Sequence, residues 1–138
     1  LPGSKNPSLA FSGGRRSWGR LLRRGSNMEK LSFLNPVFKK GLNFTVRLGT
    51  KWVNKLSIGD FIEIAGWDGF GQIKKIYICR LAETPEEVLK NEHDMGCRTL
   101  DGLMSALKFV YSELSSLSDE EIENQVVTCI GFYLYKRY

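Results

Sequence analysis

Two stretches of the chain alternate with a period of two residues, and they set the terms for everything between them. In residues 43–48, Phe44, Val46 and Leu48 share one face while Asn43, Thr45 and Arg47 share the other. In residues 126–135, Ile130, Phe132 and Leu134 alternate with Cys129, Gly131 and Tyr133, in a run rich in β-branched and aromatic side chains. Successive side chains of a strand point to opposite faces, so this is the period of half-buried strands. A further strand is expected over residues 61–65, after the Gly59-Asp60 turn. The glycines of the loop 66–71 then predict a hairpin into a long strand over residues 72–81.

Helix signals fill the gaps. Asn35-Pro36 places a capping side chain before a proline at the first helical position, which predicts about two helical turns ending near Gly41. Residues 51–56 are expected to form a helical turn. Thr84-Pro85-Glu86-Glu87 combines an N-cap with a first-turn proline and predicts a short acidic helix ending near Asn91. Residues 100–114 carry Leu103, Leu107, Val110, Tyr111 and Leu114 on one stripe, as a helix packed against a sheet would. Ser118 and Glu121 form a capping box, flanked by Leu117 and Ile122 at staple positions. With 138 residues there is room for one such α+β domain and one core region.

The net charge of +5 points to a polyanion partner until its location is considered. Residues 1–27 contain six basic residues and no acid, which leaves 14 basic and 15 acidic residues in the remainder. The leader is expected to be unstructured or artificially appended. A basic nucleic-acid arm and an organelle import signal are the alternatives. The domain proper is expected over residues 28–138. Within it, residues 29–55 hold six Lys/Arg against Glu29, and residues 81–125 hold eleven acids against Lys90, Arg98 and Lys108. One basic and one acidic region are therefore expected.

Three widely spaced cysteines and a lone histidine, His93, supply neither a disulfide framework nor a metal-ligand pair. A reducing, cytoplasmic setting is the expectation, with no membrane span. No phosphate loop, dinucleotide fingerprint or nucleophile elbow occurs, so no cofactor is implied.

On Thr45-Val46-Arg47, on Lys51-Trp52 in the connection that follows, and on VNKLSIGDFIEI over residues 53–64, the chain resembles the ASCH domains of the PUA-like superfamily. The resemblance runs from Gly41 to Leu134 and implies a small β-barrel of about five or six strands with two to four flanking helices. It also implies a basic cleft that holds RNA or a nucleoside-type ligand. Family members that hydrolyse acetylated cytidine place a lysine three residues before the threonine, where this chain has Leu42. They place an acid where it has Gly96. Lys40, and Glu92 or Asp94, stand near those positions.

The expected ligand-binding set is therefore Lys39, Lys40, Thr45, Arg47, Lys51 and Trp67, with RNA or a nucleoside as partner. Arg47 brings a five-donor fork suited to a phosphate or base edge, and Trp67 a surface for stacking. Trp52 is expected in the core. A hydrolase using Lys40, Thr45 and Glu92 is the first alternative, since a lysine could activate the threonine hydroxyl and a carboxylate could manage protons. A protein-interaction domain using its acidic helices is the second.

Overall fold

The expected alternation becomes a five-stranded mixed sheet with helices, in a computed structural model that describes residues 28–34 and 36–136. The leader lies outside the described residues. In chain order the strands are β1 (Lys30–Leu31), β2 (Leu42–Leu48), β3 (Phe61–Ile64), β4 (Gly69–Arg80) and β5 (Val126–Lys136). The helices α1 (Glu86–Lys90), α2 (Leu100–Val110) and α3 (Asp119–Glu123) lie between β4 and β5. Across the sheet the order is β1-β3-β4-β5-β2. Only β1 and β3 run parallel among these pairs, and the others are antiparallel.

The long β4–β5 pair is the spine. Alternation along it feeds two apolar clusters. One face packs Phe44, Val46, Leu81, Val127 and Cys129 against Val88, Leu103, Leu107, Leu114 and Ile122 of the helical segments. The other packs Ile62, Ile64, Ile73, Ile130 and Phe132 against Leu31 and Leu56, with Phe33, Phe38, Trp52 and Trp67 around them. Trp52 is thus partly buried at the margin of this second cluster, as expected of a packing residue. The β3–β4 hairpin turns at Gly66, whose φ of +74° is the left-handed region that side chains with a Cβ enter at a cost.

The sheet does not close into a barrel among the described residues: β1 and β2 are its edges and no ladder joins them. A side chain spans the gap instead. Arg47 on β2 donates through Nη2 to the carbonyl of Ser32, just after β1, at 2.9 Å.

Three helical expectations change. Residues 36–41 form no helix, because their backbone groups are taken by distant partners. The Val37 N–H donates to the His93 carbonyl at 2.6 Å. The fully buried Asn43 side chain accepts from the Lys39 N–H at 3.0 Å and donates to the Lys39 carbonyl at 2.9 Å. At α1 the cap falls on Pro85, one residue later than expected, since the Thr84 hydroxyl donates back to the Leu81 carbonyl at 2.6 Å. The α2 helix stops at Val110, and a separate 3-10 turn, Ser112–Leu114, carries Leu114 into the core.

The capping box at Ser118 forms as expected. The Glu121 N–H donates to Ser118 Oγ, and the Ser118 N–H donates to the Glu121 carboxylate. Because the capped helix inserts the fully buried Ile122, Ser118→Ala should lower global stability by about 1 kcal/mol. Urea unfolding checks this, and an unchanged midpoint would show that the box serves α3 alone.

Candidate functional site

The geometry at the β2 edge begins with a short parallel bridge. Phe44 pairs with Glu92: the Phe44 N–H donates to the Asn91 carbonyl and the His93 N–H donates to the Phe44 carbonyl, both at 2.9 Å. The segment after α1 is thereby fixed along the edge strand, and Glu92 is carried inward. A pocket of about 380 Å³ opens between β2, residues 92–97, residues 32–34 and α2, in the size range of small-molecule sites. Thr45, Arg47, Glu92, His93, Asp94 and Cys97 supply polar lining, and Leu34, Phe109 and Val110 are among its apolar lining.

Glu92 is 98% shielded from solvent, at 2% relative exposure. Its Oε1 accepts from the Asp94 N–H at 2.9 Å and lies 3.0 Å from His93 Nδ1. Among the described residues its Oε2 receives no hydrogen bond. Buried carboxylate oxygens ordinarily have a donor, so this one is a vacant acceptor at a pocket wall. His93 Nδ1 also lies 3.1 Å from the Phe44 carbonyl oxygen. A ring nitrogen facing two oxygens carries the proton, which leaves Nε2 as the acceptor of the neutral ring.

Arg47 is held on three sides. Its Nε donates to Thr45 Oγ1 at 3.1 Å, its Nη2 to Ser32, and its guanidinium lies over the Phe33 and Trp52 rings at 5.2 and 5.8 Å. Burial lowers its pKa from the usual value, while Tyr111 and Glu92 partly offset that. A guanidinium remains charged regardless. Burial, with Glu92 and Asp94 nearby, pushes the Cys97 thiol up to about 12, which disfavours the thiolate, the reactive form.

The fold thus brings Thr45, Arg47 and Glu92 of the expected set into one pocket, and leaves Lys39, Lys40, Lys51 and Trp67 outside its lining. Lys39 donates through its ammonium to the Asn91 side chain, and Lys40 is exposed. Lys51 lies over the Trp52 ring at 5.9 Å. Trp67 joins the second apolar cluster, its ring 6.4 Å from Phe38. The role of His93 was hidden by its lack of a second metal-type ligand. Its signal was the neighbouring Glu92. Phe33, Phe109 and Tyr111 enter the lining from segments whose placement depends on tertiary packing.

No group of three or more His, Cys, Asp or Glu suited to a metal occurs among the described residues. Nor is any helix there long and apolar enough to cross a membrane. Fold and site together define a small α+β domain with a largely apolar pocket at an edge strand, into which a few polar side chains are set. Comparison with protein-family models, curated proteins and solved structures gave no match.

Proposed function

We propose that this chain is an RNA- or nucleoside-binding module of the ASCH/PUA-like type, with its ligand seated at the β2 edge. The observation that carries the reading is the vacant Oε2 of the buried Glu92, in the same pocket as Arg47 and Thr45. A nucleobase supplies what such a wall lacks, because it presents N–H donors beside carbonyl acceptors on one planar edge. Glu92 would accept from the donors, and the Arg47 fork would meet an acceptor or a phosphate. The apolar rim of Leu34, Phe109 and Val110 suits a base plane. A PUA-like barrel fits the way Arg47 draws the edges β1 and β2 together.

Binding is favoured over hydrolysis. Lys40 lies outside the pocket lining, and the Thr45 hydroxyl accepts from Arg47, so no lysine among the described residues lines the pocket beside the threonine to activate it. The acidic-partner reading is weakened by internal pairing of its acids: Glu87 with Lys75, Glu83 with Arg80, and Asp119 with Lys108.

Nucleosides and short RNAs titrated calorimetrically into the full chain test the reading. Glu92→Gln keeps the shape but replaces one acceptor oxygen with a donor. It should weaken binding about tenfold or more, the scale of one buried hydrogen bond to a charge. Arg47→Ala should do the same. Parent-like affinity in both variants, with the fold intact by circular dichroism, would sink the proposal.

A further inference from the structure

The helices cover only one end of the sheet. They pack over Tyr77 and Cys79 of β4, over Leu81 just after it, and over Val127 and Cys129 of β5. The opposite end of the same face is aromatic and open. Phe70 pairs in register with Tyr135, and Gln72 with Tyr133. The Phe61 and Phe70 rings lie 5.6 Å apart, and those of Phe70 and Tyr135 5.4 Å apart. Beside them the Lys74 ammonium sits 5.2 Å from the centre of the Tyr133 ring. Tyr133 and Tyr135 remain 39% and 38% exposed. None of these residues lines the pocket.

Tyrosines left this exposed in adjacent positions of a sheet add little to a core, and exposed aromatic patches of this kind mark contact surfaces. The chemistry of the patch selects the occupant. Rings alternate with an amide, Gln72, and a cation, Lys74, rather than with aliphatic side chains, and rings beside a cation are the combination on which single strands are held. Lys30 stands at its border, with Glu63 in register between it and Phe70. The Lys74 ammonium beside the rings complements a phosphate, and the rings complement unpaired bases.

We infer that this open end of the sheet is a stacking platform for single-stranded nucleic acid. Phe70, Tyr133 and Tyr135 receive unpaired bases, and Lys74 meets the backbone. Stacking on aromatic rings tolerates any base, because every base has a π-face. The platform is thus a sequence-indifferent surface, separate from the pocket and independent of the reading given to it.

The test uses the full chain and labelled oligouridylate and oligothymidylate of about eight nucleotides, within the site sizes of sheet-based binders. Tyr133→Leu and Tyr135→Leu should each weaken binding about tenfold, the scale of one lost base stack. Lys74→Gln should lower the salt dependence by about one phosphate contact. Equal losses on both oligomers mean that bases alone are read, and a loss confined to oligouridylate adds a ribose contact. Either result supports the platform.

Parent-like affinity in both tyrosine variants overturns it. So does an equal loss on a duplex of the same length, which would signal charge rather than stacking. An Arg47→Ala variant measured in parallel separates the two sites: if it alone loses affinity, the platform fails and the pocket stands. Should a leucine variant unfold, aromatic proton spectra of the unaltered chain decide. Upfield shifts of the Tyr133 and Tyr135 rings on adding oligouridylate are expected, and unmoved rings refute the platform.

Discussion

Phe132→Ala should remove about 3–5 kcal/mol of stability, a large fraction of the roughly 5–15 kcal/mol that holds a domain together. Phe132 is fully buried at the centre of the second apolar cluster. Its ring lies 5.8 Å from Phe33 and 6.1 Å from Phe38. Truncation therefore leaves a cavity beneath the segment that follows β1, as well as a hole between strands. Phe33 also stands against His93, at 4.6 Å between ring centres, and under the Arg47 guanidinium. A lowered urea midpoint should come with weakened pocket binding even where the variant remains mostly folded. Loss of stability with undiminished affinity would show that the pocket does not depend on this aromatic stack.

Gly102→Ala should be the second severe lesion, at about 2 kcal/mol or more, since overpacking against backbone has little room to relax. A Cβ at this position would stand 1.9 Å from the Gly96 carbonyl oxygen. The first turn of α2, whose Gly102 N–H donates to the Thr99 hydroxyl at 3.1 Å, sits directly on the 3-10 turn Met95–Cys97. One of the two must move. That turn holds Cys97 and follows Asp94, both in the pocket wall, so affinity should fall with the melting temperature. Gly96→Ala is the contrast: its nearest contact is the Asp94 carboxylate at 3.3 Å, and near-parent stability is expected. Equal damage from both alanines would locate the problem in backbone freedom rather than in the overlap.

What was legible beforehand follows from the range of the interactions involved. Strands β2 and β5 were readable because alternation is written residue by residue, and β3 because the Gly59-Asp60 turn announces it. The Ser118 box was readable because both its hydrogen bonds close within three residues. The same alternation put Thr45 and Arg47 on one side, and they do share a hydrogen bond and a pocket. Asn35-Pro36 misled because a local capping signal lost to non-local partners, the His93 carbonyl and the Asn43 side chain. Lys39, Lys40 and Lys51 were grouped with the site by nearness in sequence and charge, yet β2 lines the pocket with Thr45, Val46 and Arg47 from its middle, and these three lysines lie beyond its ends. Trp67 illustrates the same limit. A glycine-rich loop says that a ring is near a turn, and whether it faces solvent or the cluster around Phe38 is decided by the packing of another segment. Glu92 was nameable as an acid near the site, but its burial follows from the bridge to Phe44, which pairs residues far apart in the chain.

That bridge also bears on how the molecule behaves in company. An exposed edge strand offers a row of unsatisfied amides and carbonyls on which another chain can polymerise. On β2 the outward groups of Phe44 are taken by Asn91 and His93, and the Leu48 N–H donates to the Tyr111 hydroxyl at 3.3 Å. The segment that carries Glu92 into the pocket thus also denies the edge to intruders. The proposed ligand wall and the cover of this edge share the same few residues, so a molecule that tightens residues 91–93 should also keep concentrated protein in solution.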